Sequence, residues 1–465
     1  MRGVLHTLRV ILALAPFALS FLRDWRRWLF FGPPLQRSTA FHERRAERLV
    51  TRIATLGATF VKLAQVFSAR ADLIHEPYLS QLGTLTDQVP PVPWAGIERT
   101  IRESYGAAPE EVFERIDRTP VAAASLGQVH RARWRGRDVA VKVLRPHVEA
   151  QVARDVAAAR TITRWAARRW PIPHLLGFAA LVDEFAARIA EEMDFRLEAE
   201  YATEVRANFA DNPRVLIPEV MHELTRQRVL VLEFVEGTRP DRLTAASVDA
   251  QRLAAQVIEA YVQMMLVDGL FHADPHPGNL LVRPDGSIVL LDFGMMVRVP
   301  KELRLRLLRT VFAAIRRDAK ALAKGYYALG LIAPGADPAV VARLTETLVS
   351  LPERKTTTKD RMKALLATRV MASLYDFPII LPRDLVYFAR TAALIEGLGM
   401  RYDPYFDAVQ CGTPVVLRMR SRILRSLGEE AQPSVEELAS VAGWAVGRAW
   451  RDAREWVERV TAPAS

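Results

Sequence analysis

Residues 271–282 read FHADPHPGNLLV and place two histidines, an aspartate and an asparagine close together. Asp274 and Asn279 are five positions apart, which is the D-x-x-x-x-N spacing of a phosphotransferase catalytic loop. In such a loop the aspartate orients or deprotonates the attacking group, and the asparagine binds a metal on the phosphates. The stretch therefore predicts phosphoryl chemistry, with His272 and His276 interpreted as structural residues that shape the loop.

The same stretch allows a second interpretation, in which His272, Asp274 and His276 ligate zinc in a hydrolase. A zinc site needs further ligands at useful spacing, and the sequence offers none nearby. Its single cysteine, Cys411, excludes a thiolate cluster and an intrachain disulfide, as is typical of a reducing compartment. The zinc interpretation is therefore disfavoured.

A second metal ligand is expected downstream, in the segment NLLVRPDGSIVLLDFG (279–294). Its two apolar runs are separated by RPDG, which supplies the residues of a tight turn and so predicts a hairpin. Asp292 follows the second run, where its carboxylate can bind the same ion as Asn279. Mg²⁺ prefers oxygen ligands and keeps some of its waters, so these two groups and the phosphates of ATP suffice.

A phosphotransferase site of this kind also needs a lysine on the nucleotide phosphates. The strand-like run DVAVKVL (138–144) supplies Lys142, with the small Ala140 two residues earlier on the same face. A carboxylate must hold that lysine, and the segment EEMDFRLEAE (191–200) is rich in acidic residues. Asp194 and Glu198 are four residues apart, so we expect them to share one face of a helix.

The phosphate-binding loop departs from the glycine-rich pattern of kinases. The segment VAAASLGQVH (121–130), before the lysine strand, contains one glycine, Gly127, and three consecutive alanines. Alanine restricts the backbone and keeps it farther from phosphates than glycine does, which predicts altered nucleotide preference, ATP or ADP, or slow phosphoryl transfer. The predicted nucleotide-contacting residues are Ala122, Ala123, Ala124, Ser125, Gly127, Ala140, Lys142, Glu233 and Val235.

Hydrophobic periodicity indicates the elements that must position these residues. Residues 41–87 have helical spacing, and the prolines of 88–94 break it. Strand patterns fall within 118–144 and 228–237, with helical patterns over 145–210 between them. After residue 237 helical patterns dominate, apart from the hairpin. The pattern predicts an α+β protein in which a small strand-bearing unit precedes a larger helical one.

Charge is concentrated at the N-terminus. Residues 1–50 contain nine arginines against three acidic residues, a net +6 out of +11 for the chain. They also contain the uncharged run 10–22, followed by several aromatic residues. Thirteen residues interrupted by Pro16 are fewer than the ~20 of a spanning helix, so we expect interfacial membrane binding. Nucleic acid is not an expected partner, since no basic stripe is interleaved with stacking aromatics.

Five motifs in order, VKLAQ, AAASLGQVHRA, EEMDFRLEAE, FHADPHPGN and LLDFG, resemble those of the UbiB/AarF-type atypical kinases. The resemblance covers residues 40 to 410 and implies an α+β, protein-kinase-like bilobal fold with an N-terminal helical extension over the active site. It also implies that Lys62 and Gln65 of the extension reach towards Glu192 and Asp194, and that Glu198 pairs with Lys142. The family has a glycine where this chain has Ala64, a difference that could loosen or shift the extension.

The resemblance, combined with the patterns above, divides the chain into five segments. These are a membrane-interacting segment (1–40), the helical extension (41–115), an N-lobe with a helical insert (116–236), a helical C-lobe (237–410) and a C-terminal helical tail (411–465). The tail has no uncharged run near 18 residues, so we do not expect it to span a membrane.

The expected function is that of a membrane-associated atypical kinase or ATPase that binds Mg²⁺ and ATP, or ADP. Asp274, Lys142 and Glu198 are its expected catalytic residues, and Asn279 and Asp292 its metal ligands. The resemblance adds isoprenoid-lipid metabolism, with ubiquinone biosynthesis and its proteins as the expected context, at the cytoplasmic face of the cytoplasmic membrane. Two alternatives stay open: a small-molecule phosphotransferase of the aminoglycoside or choline kinase type, and a nucleotide-gated scaffold. Phosphorylation of other proteins is disfavoured because no A-P-E sequence follows Asp292 to end an activation loop.

Overall fold

The computed structural model describes residues 2–25, 35, 37–68, 74, 76–85, 90–170, 173–243, 250–273, 277–332, 335–350, 383–402, 406 and 408–428. These form two compact units. The first unit comprises residues 1–211, 216–236 and 289–295, and the second comprises 212–215, 237–288 and 296–465. The chain passes from one unit to the other five times, and two of these boundaries fall within short strands, β5 (Val215–Leu216) and β9 (Ile288–Leu290). The five-segment division expected from the sequence is finer than this and stays a prediction.

The first unit is built around an antiparallel sheet. Its order is β1-β3-β4-β6, with β2 paired to the other part of β3. The strands are β1 (Arg115–Ile116), β2 (Ala122–Ala123), β3 (Gly127–Trp134), β4 (Arg137–Leu144) and β6 (Val229–Glu233). This places strands in the two regions where the sequence predicts them.

A tight turn connects β3 and β4 into a hairpin. Arg135 and Gly136 both have positive φ, 48° and 72°, as a two-residue turn of type I′ requires. The turn sets the register of the two strands, in which Val129 of β3 is paired with Lys142 of β4. Because side chains alternate along a strand, Val139, Val141 and Val143 all enter the core while Lys142 points to the other face.

Helices surround this sheet, and the core lies between the sheet and α5. Ile97 and Ile101 of α5 are fully buried against valines of β4 and β6, and Phe113 completes this cluster. The helices of the first unit are α1 (Arg2–Trp25), α2 (Thr39–Leu56), α3 (Ala58–Ser68), α4 (Tyr78–Gly83), α5 (Trp94–Tyr105), α6 (Pro109–Val112), α7 (Val148–Arg169), α8 (Pro173–Glu192) and α9 (Phe195–Asn208).

The second unit is mainly helical. Its described helices are α10 (Ala250–Val262), α11 (Lys301–Ile315), α12 (Ala319–Ala328), α13 (Pro338–Ser350), α14 (Arg383–Tyr402) and α15 (Ala408–Leu427). A π-helical turn (Gln263–Asp268) continues α10 and leads into β7 (Leu270–His272), which pairs with β10 (Met296–Arg298). β8 (Leu280–Val282) precedes the RPDG turn, where Gly286 has a φ of 80°. The fold is therefore α+β, as predicted.

Helix α1 differs from its sequence-based expectation. It runs without interruption from Arg2 to Trp25 and includes Pro16. By length and composition its residues 3–24 could cross a membrane, although a signal sequence near the N-terminus passes the same test. The helix is longer than the uncharged run on which the prediction was based, because it also includes Arg9 and Arg23, and interfacial membrane binding stays a prediction. In the C-terminal tail, residues 429–465 lie outside the described part of the chain.

Candidate active site

Lys142 lies on β4 and is held by two carboxylates of the first unit. Its ammonium group donates to both oxygens of Glu198, at 2.7 and 2.9 Å, and to Asp292 Oδ2 at 3.2 Å. The same ammonium lies 5.2 Å from the centre of the Phe195 ring, which gives it a further favourable contact. Three residues distant in sequence, 142, 198 and 292, therefore meet in one cluster.

Glu198 is the buried member of this cluster. It lies in the first turn of α9, and its side chain is only 3% exposed. Burial raises the pKa of Glu198 to about 7; Lys142 opposes this rise, and the nearby charge of Asp292 adds to it. Burial disfavours the charged form of Lys142 too, but Asp292 and Glu198 together outweigh it and raise the pKa of the ammonium above its usual range.

Asp292 is the most exposed member of the cluster, with 39% of its side chain accessible. It lies two residues after the end of β9, and its Oδ1 accepts a hydrogen bond of 2.8 Å from the backbone N–H of Gly294. Phe293, between them, is fully buried and fixes the backbone at this point. Oδ2 faces Lys142, so the carboxylate is oriented on both sides and still accessible. An oriented, accessible carboxylate beside an ammonium group fits a ligand for a phosphate-bound Mg²⁺.

The catalytic-loop stretch belongs to the second unit. His272 is buried at the end of β7, and Asn279 ends a short 3-10 turn (Pro277–Asn279) where it is half-buried. Asp274 and His276 lie outside the described residues. The predicted roles of Asp274 as catalytic residue and Asn279 as metal ligand therefore stay predictions. Among the residues that are described, no cluster of three metal-binding side chains occurs.

The alanine-rich loop forms a tight turn ahead of β3. Ala122 and Ala123 form β2, and the backbone N–H of Ala124 donates to the carbonyl of Gly127 at 2.8 Å. Ser125 is buried within this turn. A Cβ at Gly127 would lie 2.9 Å from the carbonyl oxygen of Val143, so glycine is required there by a close approach of backbones. Contact of this alanine-rich loop with nucleotide phosphates stays a prediction.

Sequence reasoning missed two residues that hold this loop in place. Arg145, just beyond β4, donates from Nε to the carbonyl of Ala124 at 2.9 Å. Gln128 is buried, and its Oε1 accepts a 3.0 Å hydrogen bond from the backbone N–H of Val92 in the proline-rich segment. A glutamine at an inward position of a strand is a signal that could have identified the second of these.

The remaining predicted nucleotide-contacting residues lie on β4, on β6 or just after β6. Ala140 is on β4 and pairs with Leu232 of β6, and Glu233 ends β6. The Glu233 carboxylate accepts a 3.2 Å hydrogen bond from the backbone N–H of Glu219. Val235 follows in an irregular, half-buried segment. The structure thus assigns Glu233 a contact within the protein, and a nucleotide contact for Glu233 or Val235 stays a prediction.

Helix α3 of the extension contacts the site through one of its two predicted residues. The ammonium group of Lys62 is paired with the carboxylate of Glu192 at the end of α8. Gln65 does not join this pair, because its amide donates to the carbonyl of Leu85 at 3.0 Å. The expectation that Gln65 reaches Glu192 or Asp194 is wrong.

Asp194 also differs from its predicted position. It lies between α8 and α9 in an extended conformation and caps α9, accepting a 3.1 Å hydrogen bond from the backbone N–H of Arg196. The Arg196 guanidinium adds two further hydrogen bonds, and together these hold the pKa of Asp194 below its usual range. An N-cap residue is not part of the helix face, so the expected shared face with Glu198 is wrong.

Comparison with known proteins identifies the family of the chain. The sequence model of the ABC1 atypical kinase-like domain matches residues 84–326. The chloroplastic Activity of bc1 complex kinase 3 of Arabidopsis thaliana is 32% identical over 89% of this chain and 57% of its own length. An uncharacterized chloroplastic aarF domain-containing protein kinase of the same plant is 34% identical over 87% of this chain and 57% of its own length. An uncharacterized Synechocystis protein is 31% identical over 81% of this chain and 67% of its own length.

Several of the similar relatives are considerably longer than this chain, which spans 54–60% of their length. Among solved structures, that of Rv3197 of Mycobacterium tuberculosis in complex with erythromycin is similar. Its TM-score is 0.58 at 24% identity, over 81% of this chain and 97% of that one, which shows a shared kinase-like fold. On the family match and the relatives' identity, the chain belongs to the ABC1 atypical kinase-like family.

Proposed function

We propose that the chain is an ATP-hydrolysing atypical kinase that binds Mg²⁺ with ATP or ADP and serves isoprenoid-lipid metabolism at a membrane. The observation that carries the nucleotide part is the cluster of Lys142, Glu198 and Asp292. A lysine held by a buried carboxylate, next to an accessible aspartate, is the arrangement that kinases use for phosphates and metal. Membership of the family supports kinase-like chemistry in general.

Each residue of the cluster has a distinct proposed role. Lys142 binds nucleotide phosphates, Glu198 keeps the lysine in position, and Asp292 ligates the metal together with Asn279. Bound Mg²⁺ would supply charge neutralisation on the phosphates. Asp274 is the proposed group that orients the attacking water or hydroxyl. The backbone at Ala122, Ala123 and Ala124 lacks the freedom of glycine, which favours slow turnover.

The membrane and quinone parts of the proposal have separate support. Helix α1 is apolar, basic at its ends and long enough to interact with a bilayer, which favours a membrane location, at the cytoplasmic face. The resemblance of the sequence motifs to UbiB/AarF-type kinases supports isoprenoid lipids and ubiquinone biosynthesis, with proteins of that pathway as partners. Several relatives carry names that refer to the bc1 complex, a statement about those proteins.

A small-molecule phosphotransferase is less well supported than this function. Such an enzyme needs an open cleft for its substrate, whereas here α3 is tied to the site by the Lys62–Glu192 pair. The second alternative, a nucleotide-gated scaffold, differs from the proposal only in the absence of turnover. The experiment below distinguishes it.

The test is Mg²⁺-dependent ATP hydrolysis by the purified full chain, with and without liposomes that contain anionic phospholipid. Asp292→Asn removes the accessible carboxylate of the cluster and should abolish turnover. Asp285→Asn is the matched control, because Asp285 is in the β8–β9 turn and bonds only locally to Ser287 and Arg283. Turnover in the native and control proteins but not in Asp292→Asn supports the proposal. Nucleotide binding without turnover under either condition would leave the scaffold, and turnover unchanged in Asp292→Asn would refute the assigned site.

A further inference from the structure

Helix α1 has two faces of opposite character. Six large apolar side chains are between 42% and 74% exposed, and all lie on one side of the helix: Val4, Leu5, Leu8, Ile11, Leu12 and Leu19. Their spacing of three, four and seven residues places them in one stripe, which we call the outer stripe. Exposed apolar stripes of this length are costly in water and mark a surface that contacts something else.

The opposite, inner face is fixed to the body of the first unit by polar contacts as well as by packing. His6 Nε2 lies 2.7 Å from Asp155 Oδ1 of α7, and Asp155 is itself buried. Val10, one turn later, is buried at the same interface. At the other end Asp24 is ion-paired with Arg45 of α2, which is also buried. The helix is therefore held near both ends by polar contacts to buried side chains, Asp155 at one end and Arg45 at the other.

These anchors determine how α1 can approach a bilayer. A helix that spans the membrane would place His6, Arg9 and Asp24 in or near the hydrocarbon and would separate Asp155 from His6 and Arg45 from its counter-ion Asp24. Either change is expensive, since an unpaired buried charge is strongly destabilising. A helix that lies along the surface keeps both anchors and transfers only the outer stripe out of water.

Positive charge beside the outer stripe indicates which kind of surface the stripe contacts. Arg9 and Arg23 are both exposed, one within the stripe's length and one at its C-terminal end. The first fifty residues carry nine arginines against three acidic residues. Arginine beside apolar side chains suits the boundary between acyl chains and anionic headgroups, where the stem is buried and the guanidinium reaches phosphate.

We propose that α1 binds the surface of an anionic phospholipid bilayer lengthwise, with the outer stripe in lipid and the inner face still attached to α2 and α7. This rests on the membrane location included in the proposed function but not on ATP hydrolysis. Binding can therefore be measured without nucleotide, so that a failure of turnover and a failure of membrane docking are distinguishable.

The first measurement is flotation of the full chain with vesicles of phosphatidylcholine, with and without phosphatidylglycerol. Leu8→Glu and Leu12→Glu should each reduce the bound fraction on the anionic vesicles by roughly tenfold or more. Tyr327→Glu is the matched control, because it places the same charge at an exposed residue of α12, outside α1, and should bind as the native chain does. Equal binding by the stripe variants, or no binding by the native chain, would refute the proposal.

The second measurement separates a helix on the surface from one that spans. In a Cys411→Ser background, an environment-sensitive fluorophore is attached at Leu5→Cys, Leu12→Cys, Leu19→Cys or, on the inner face, Ala13→Cys, and quenching by lipids labelled at two depths is compared. Surface binding predicts one common shallow depth for the three outer positions and little quenching at Ala13→Cys. A maximum depth at Leu12→Cys with equal quenching at Ala13→Cys would mean a spanning helix. Outer positions already protected from aqueous iodide without vesicles would mean that protein, a second copy or another segment, covers the stripe.

Discussion

Glu192 and Glu198, six residues apart in sequence, each hold the ammonium group of a lysine from a different part of the first unit. Glu192 is the last residue of α8 and binds Lys62 of the extension. Glu198 lies in the first turn of α9 and binds Lys142 of the sheet. Gly294 adjoins both: a Cβ there would lie 3.6 Å from Cγ of Glu192 and 3.8 Å from Oε2 of Glu198. The extension is therefore attached next to the cluster of Lys142, Glu198 and Asp292, which is proposed to bind nucleotide.

Replacement of Lys142 by methionine should destabilise the protein and remove nucleotide affinity together. Glu198 would be left buried without its counter-charge, a change that typically costs about 3–5 kcal/mol. Lys142→Met/Glu198→Gln should regain most of the stability, because no buried charge is left unpaired, but should not regain nucleotide binding. Urea unfolding and fluorescent-nucleotide titration measure the two effects. Lys320→Met, at an exposed position of α12, is the control and should change neither. Recovery of nucleotide affinity in the double variant would contradict the role given to Lys142.

The raised pKa of Glu198 makes its contribution to stability depend on pH. Its pKa is about 7 in the folded protein, against about 4.3 in the unfolded chain, so between these values the folded state binds the proton more tightly. This contribution is complete below pH 4.3 and is lost as the pH rises through 7. Glu198→Gln has a permanently neutral group, so its stability relative to the native protein should increase by roughly 2–3 kcal/mol from pH 5 to pH 8. Urea midpoints at the two pH values test this; a constant difference would show that the pKa is not raised.

Removal of the Lys62 charge should loosen the extension without unfolding the protein. The Lys62–Glu192 pair is partly exposed, so its loss is worth about 1 kcal/mol, or a fivefold shift in the local opening equilibrium. Lys62→Met should therefore accelerate amide exchange in α3 by about that factor, while exchange in β3 and β4 stays unchanged. Lys62→Arg, which keeps the charge, should exchange nearly as the native chain does. Equal acceleration in the strands would indicate global destabilisation instead.

The sequence predicted those parts of the structure that depend on local patterns. Alternating valines around Lys142 and the Arg135–Gly136 turn specify the hairpin, because strand period and turn chemistry agree there. The pairing of Lys142 with Glu198 is also present, but it came from a family resemblance, since spacing alone did not select one of the acidic residues of 191–200. The conclusion that Asp292 adjoins the same lysine depends on long-range packing and required the structure.

The errors at Asp194 and Gln65 have a common physical cause: each side chain binds a different partner from the one expected. Asp194 satisfies the backbone of its own helix as an N-cap, a short-range preference that competes with longer contacts. Gln65 donates to the carbonyl of Leu85, a backbone group that no sequence pattern identifies as its partner. For α1, counting uncharged residues underestimated the helix, because a charged residue on an exposed face does not interrupt a helix.

Gly294 should not tolerate even a methyl group without affecting Asp292. A Cβ at this position would lie 3.2 Å from Asp292 Oδ1, closer than ordinary contact, so the carboxylate must move by a few tenths of an ångström. Gly294→Ala should raise the Mg²⁺ concentration needed for nucleotide binding by several-fold, roughly 1 kcal/mol, with little change in metal-free nucleotide binding. Gly397→Ala, which has open space around its Cβ, is the control. An unchanged Mg²⁺ requirement would mean that Asp292 does not ligate the metal.

Arg45 should prove the most sensitive residue of the N-terminal region. It is buried, forms an ion pair with Asp24 of α1, and donates to Ser20 Oγ at 3.0 Å and to Tyr78 of α4 at 2.6 Å. A lysine has the same charge but not the planar fork of donors, so Arg45→Lys should lose several of these hydrogen bonds at a cost of about 2 kcal/mol. The expected result is faster amide exchange throughout α1, by more than tenfold, with the strands of the first unit unaffected. Arg44→Lys, an exposed neighbour on the same helix, should exchange as the native chain does. If Arg45→Lys also behaves as native, the contacts of Arg45 do not hold α1 to the first unit, and other contacts, such as that of His6 with Asp155, hold it there instead.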